Sequence, residues 1–189
     1  MSDLVSRGAK ALVSAFCQHP LGAATGAQVL EPVLLGALGE EARSVVYVCQ
    51  ERADFGAYGM SPRALEPSLT AALRVVLGEV ISRQHTLVAT RWIRFRRGGY
   101  SLAADDAYWI GEHLRNDTIE TSIDLSADET GEADIVFTHG DAVFFTVPQR
   151  LGQLAVVRRT ASIARYDRYL THRVGEREVY RVRLLFAQR

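Results

Sequence analysis

Apolar residues recur at helical spacing through Leu65, Leu69, Ala72, Leu73, Val76 and Val80. The spacing predicts a helix to about Ser82, with Ser61 as its cap and Pro62 in its first turn. An amphipathic helix is also predicted over 3–17 and a strand over 44–50. From there the texture changes to short runs of β-branched and aromatic residues at 86–96, 118–125, 133–138, 142–147, 153–158 and 178–187. Turn signals separate them: Gly98-Gly99, Asp128 to Gly131, His139-Gly140-Asp141 and Pro148 to Gly152. Helices followed by a run of strands predict an α+β protein whose C-terminal half is a β-sandwich or barrel.

The length, 189 residues, suits a single domain, with 1–85 as a helical support region holding one or more strands and 86–189 as the core. Lys+Arg and Asp+Glu both total 22, so no whole-surface attraction to nucleic acid or to an anionic membrane is expected. Cys17 and Cys49 lack the spacing of a zinc knuckle or a redox pair and are too few to staple a secreted scaffold. No apolar run is long enough to span a bilayer, and the expectation is a cytoplasmic protein.

A Walker loop, a G-x-G-x-x-G turn, an H-E-x-x-H helix and a nucleophile elbow are all missing from the sequence. Positive charge does concentrate towards the end of the chain. Residues 150–189 hold ten arginines against the three acids Asp167, Glu176 and Glu178. Most of these arginines are expected on solvated faces, with one or two available for an anion.

Four stretches carry the most information. They are Arg94 to Asp106 (RFRRGGYSLAADD), Glu132 to Phe137 (EADIVF), Val147 to Leu154 (VPQRLGQL) and Arg168 to Val174 (RYLTHRV). In this order they resemble the core of the iron(II) and 2-oxoglutarate-dependent oxygenases, particularly the compact prolyl-4-hydroxylase-like branch, over roughly residues 91–187. The resemblance rests on order and spacing; no single element is specific. It implies a double-stranded β-helix, or jelly roll, buttressed by N-terminal helices. Fe(II) and 2-oxoglutarate are the implied cofactors, and two imidazoles and a carboxylate would hold the metal on one octahedral face.

Carried over residue by residue, the resemblance makes Asp106 and His172 metal ligands. Arg181 becomes the clamp on the distal carboxylate of 2-oxoglutarate, with Arg183 second. Strand alternation puts both arginines on one face, opposite Val182 and Leu184. Tyr108 and Trp109 are candidate substrate contacts, and the loops 103–117 and 158–171 are expected to set specificity. The family's spacing departs at position 104, where an imidazole is expected and Ala104 stands. Three explanations stay open: an engineered loss of a ligand, a natural pseudoenzyme, or a displaced ligand such as His113, His139, His85 or Asp105.

The resemblance therefore implies an oxygenase, most simply a hydroxylase of an amino acid, peptide or small metabolite, impaired by Ala104. The alternative is a non-catalytic binding or regulatory protein on the same barrel, and a cupin-like metal protein ranks third.

Overall fold

The computed structural model describes residues 3–27, 29–78, 80–115 and 117–188, with only the backbone of Glu112. The described residues form four α-helices: α1 (Asp3–Gln18), α2 (Pro32–Ser44), α3 (Pro67–Val76) and α4 (Ala103–His113). The first strands are β1 (Ala23–Gly26), β2 (Val48–Arg52), β3 (Gly56–Ser61), β4 (His85–Phe95), β5 (Tyr100–Ser101) and β6 (Thr118–Asp124). They are followed by β7 (Ile135–His139), β8 (Ala142–Val147), β9 (Leu154–Arg159), β10 (Ile163–Asp167) and β11 (Val179–Gln188).

All the strands join one antiparallel sheet in the order β1-β9-β6-β11-β4-β3-β5-β10-β7-β8, with β2 added to β3. The sheet rolls up, so that ion pairs run from β6 and β11 to β10 across the interior. This nearly closed, barrel-like jelly roll agrees with the expected fold class.

Period-two alternation sorts the strand residues between two environments. On β11, Val182, Leu184 and Phe186 face outward into a cluster with Leu12 and Phe16 of α1, Leu38 of α2 and Leu73 of α3. Burying side chains such as Leu73, Leu184 or Phe186 contributes about 1.5–3 kcal/mol each, which holds the helices to the sheet. Inside the barrel, one end is apolar around Ile135, Phe137 and Val157, and another apolar group surrounds Phe95, Leu170 and Val179. Charged side chains lie in the same interior, on strands that carry both groups.

Several elements differ from the sequence expectation. Ser61 does not cap a helix. It is the last residue of β3, whose end pairs with Trp92 of β4. Helix α3 starts six residues later at Pro67, where the Glu66 carboxylate accepts from the backbone amide of Ser68 at 2.9 Å. The strand expected over 44–50 lies at Val48–Arg52, because α2 occupies the chain up to Ser44. Three strands before residue 85 join the sheet, so the first part of the chain extends the barrel wall as well as supporting it.

Candidate functional site

The interior between the two apolar ends is an ion network. Five arginines (91, 159, 165, 181 and 183) and five carboxylates (Asp105, Asp106, Glu120, Asp124 and Asp167) are buried there. Inward positions of β4, β6, β9, β10 and β11 supply eight of these ten, and the start of α4 supplies Asp105 and Asp106. Arginine suits such a place because its planar fork bonds two carboxylates at once and its weaker hydration lowers the cost of burial.

Asp106 sits at the centre. Its Oδ1 accepts from Nη2 of Arg165 at 2.7 Å and from Nη1 of Arg159 at 3.3 Å. Its Oδ2 accepts from Nη2 of Arg159 at 2.6 Å and from the backbone amide of Arg165 at 2.8 Å. A carboxylate offers about four lone-pair sites, and all of them are engaged here. Burial by itself would raise the Asp106 carboxyl, but Arg165 and Arg159 outweigh it and hold the pKa below the ordinary carboxylate value.

Arg165 connects the rest. Its Nε is 3.0 Å from Glu120, its Nη1 is 3.6 Å from Asp167, and Glu120 is also paired with Arg159. Asp167 accepts from Arg181 at 2.6 Å, from Arg183 and from the Ser101 hydroxyl. Burial opposes ionisation of Asp167, yet Arg183, Arg181 and Arg165 pull its pKa well below the ordinary range. The cost of that sharing falls on Arg183. Burial, then the charge of Arg165, lowers its pKa to about 10, and its Nε and Nη1 have no hydrogen-bond partner among the described residues.

Arg181 and Arg183 share the inner face of β11, and Val182 and Leu184 face the helices, as alternation predicts. Arg181 is bonded to Asp167, to Asp124 at 3.3 Å and to the carbonyl oxygen of Ala133. Asp124 is buried, and burial raises its pKa despite Arg181.

The remaining expected residues lie elsewhere. His172 is exposed on a short 3-10 turn, His172–Val174, with its ring edge-on to Tyr169 at 6.5 Å, outside the buried interior that holds Asp106. Ala104 is also exposed, because 103–113 is a helix. Residues two apart on a helix point about 200° from each other, so positions 104 and 106 diverge. Trp109 is buried, with Arg91 stacked on it at 4.8 Å and Arg165 at 5.6 Å, while Tyr108 is 57% exposed against Phe55.

Nor do the other histidines replace an imidazole at Asp106. His85 is bonded to Ser82 at 2.8 Å and to the carbonyl of Asp117 at 2.9 Å. His139 is exposed beside the β7–β8 turn, and His113 ends α4. Asp105 is bonded to Arg91 at 2.9 Å and Tyr58 at 2.5 Å.

These residues do not fit an iron centre. Among the described residues, no three His, Cys, Asp or Glu side chains group to hold a metal ion. The expected metal carboxylate has its acceptor sites filled by guanidinium and amide. The residues of the barrel wall that face it are Arg159 on β9 and Arg165 on β10, the latter in a segment read from sequence as loop. The missed signal was the alternation Ile163, Arg165, Asp167, which places two charges on the inner face of a strand.

No protein-family model matches the chain, and no curated protein matches it. Solved structures do. A Pseudomonas putida prolyl-4-hydroxylase is 14% identical, with 96% of this chain and 99% of that chain covered and a TM-score of 0.66. A Trichoplax adhaerens prolyl hydroxylase in complex with a hypoxia inducible factor peptide fragment is 8% identical, with 97% and 90% covered and a TM-score of 0.68. HygX of Streptomyces hygroscopicus, with nickel and 2-oxoglutarate bound, is 9% identical, with 95% and 87% covered and a TM-score of 0.62. Identities this low carry the fold and leave the chemistry to the residues: the chain has the double-stranded β-helix fold seen in 2-oxoglutarate and iron(II)-dependent oxygenases.

Proposed function

We propose that this chain is a non-catalytic binding protein on the oxygenase barrel, with a fixed ion network in the space where such a barrel would hold metal and keto acid. The observation that carries this reading is the Asp106 carboxylate, whose two oxygens accept four hydrogen bonds from Arg159 and Arg165. A divalent cation would have to displace both guanidinium groups from Asp106 and add its charge beside them, leaving the buried network with more positive charge than Glu120 and Asp167 can offset.

A second reading, an Fe(II)- and 2-oxoglutarate-dependent hydroxylase of an amino acid, peptide or small metabolite, rests on the fold and on the two unpartnered nitrogens of Arg183. Calorimetric titration with Mn(II), with 2-oxoglutarate and with both together separates the two. The expected outcome is no saturable binding of either and no succinate when Fe(II) replaces Mn(II). Micromolar binding of both, with succinate formed, would overturn the non-catalytic reading and establish the second.

A further inference from the structure

Strand β8 ends the sheet and pairs only with β7. Outside that ladder, no hydrogen bond among the described residues engages the backbone of 142–147. The outer edge of β8 therefore offers unpaired amides and carbonyls over about 20 Å at strand rise.

Edges of this kind are ordinarily blunted by shortness, charge or proline. Strand β1, at the other end of the sheet, is four residues long, and β2 carries Glu51 and Arg52. By contrast β8 reads Ala142-Val-Phe-Phe-Thr-Val147, without a charged residue, a proline or a glycine.

A bulge at Phe144 decides which side chains this edge presents. Phe145 pairs with Phe137, but Val143 pairs with the next residue, Thr138, so Phe144 is the extra residue. Side chains alternate along a strand, and one extra residue shifts the alternation by one. Phe144 and Phe145, though consecutive, both pack on the apolar group at the end of the barrel. Val143 is 57% exposed, and Thr146 is exposed as well. About the Phe144-Phe145 bond the pattern is thus symmetric: a ring on each side, then an exposed β-branched residue.

That symmetry points to the occupant. Two copies paired antiparallel about a two-fold axis at this bond set Phe144 opposite Phe145 of the second copy, and Val143 opposite Thr146. Opposed residues of an antiparallel pair lie on the same face of the sheet, so rings meet rings and β-branched residues meet each other. On a regular strand the same register would set an inward side chain against an outward one. Like charges meet nowhere along this ladder, and the chain's formal net charge of zero at pH 7 puts no long-range repulsion between two copies.

We propose that β8 is a self-association edge, through which two copies of this chain join their sheets in an antiparallel ladder. Each copy has one β8 edge, so the pairing closes at two and does not propagate. The proposal goes beyond the binding-protein reading and does not depend on it.

Sedimentation equilibrium of the full chain, from micromolar to submillimolar concentration, tests it. A reversible equilibrium of monomer and dimer is expected, with hydrogen exchange at 142–147 slowing as the dimer fills. The double variant Val143→Lys, Thr146→Lys sets lysine opposite lysine at both ends of the ladder, and the dissociation constant is expected to rise about tenfold. In Val143→Lys, Thr146→Glu the same register sets lysine opposite glutamate, and association is expected to return to within about threefold of the parent. Both positions are exposed, so the three chains are expected to share one thermal midpoint where they are monomers.

A monomer throughout the range, an assembly larger than two, or a dimer indifferent to the lysine pair would overturn the proposal. So would a lysine and glutamate variant as weak as the lysine pair, since the two-fold register would then be wrong. Exchange at 142–147 that does not change with concentration in the parent chain would overturn it without recourse to any variant.

Discussion

Asp106 shows how a residue can be correctly singled out for the wrong partner. Its sequence context marks it as a carboxylate needed inside the barrel, and it is 1% exposed there. Its counter-ions come from Arg159 and Arg165, residues more than fifty positions away that nothing local connects to it. Removing Asp106 leaves Arg159 and Arg165 to share Glu120 and Asp167, one buried negative charge short, so Asp106→Ala is expected to cost about 3–5 kcal/mol. Urea unfolding measures it, and a cost under 1 kcal/mol would mean that the network is not fixed. His172 is the opposite case. Its order in the sequence suggested a ligand, but the 3-10 turn that carries it is exposed.

At the scale of elements, the long strands were legible because alternation persists: β4, β6, β9 and β11 lie within a residue or two of their expected places. Helix α4 and strand β10 were not. Helix α4 begins directly after β5 with no side-chain cap, and β10 is five residues long with two charges on its inner face. Missing both elements put positions 104 and 106 on a common ligand face. Accordingly, Ala104→His is expected to leave Mn(II) affinity unchanged, as read by electron paramagnetic resonance of the bound ion; a new micromolar site would refute the helical geometry. Gly56 tests the joint between β3 and β5. Its φ of 131° belongs to glycine, and an added Cβ would collide with the carbonyl oxygen of Tyr100 and lie 2.9 Å from the Ser101 Cα. Gly56→Ala is therefore expected to cost about 1–3 kcal/mol, seen as a lowered thermal midpoint.

For the whole molecule, the network makes stability depend on pH. Asp106 and Asp167 are depressed in the folded state, so their contribution is complete above the unfolded carboxylate value and is lost as pH falls through their folded values. Asp124 is raised and acts with the opposite sign, favouring the fold below its unfolded value and losing that contribution as pH rises. Below about pH 4 Asp124 is protonated in both states and only the depressed groups still titrate, so unfolding free energy is expected to fall on further acidification. In Asp124→Asn, the gain in stability that Asp124 provides on acidification towards about pH 4 is expected to be absent, with the fall below that pH unchanged. A flat profile between pH 5 and 2 would contradict the ionised network. The sequence by itself determined the alternation of β11, and with it which face carries Arg181 and Arg183, because side-chain direction along a strand follows local geometry. It also determined that apolar strands and helices must pack as layers. Only the tertiary structure decided that the arginines of β9, β10 and β11 meet the carboxylates of α4, β6 and β10, because charge pairing across a closed barrel depends on which strands become neighbours, and that is a property of the rolled sheet rather than of any one segment.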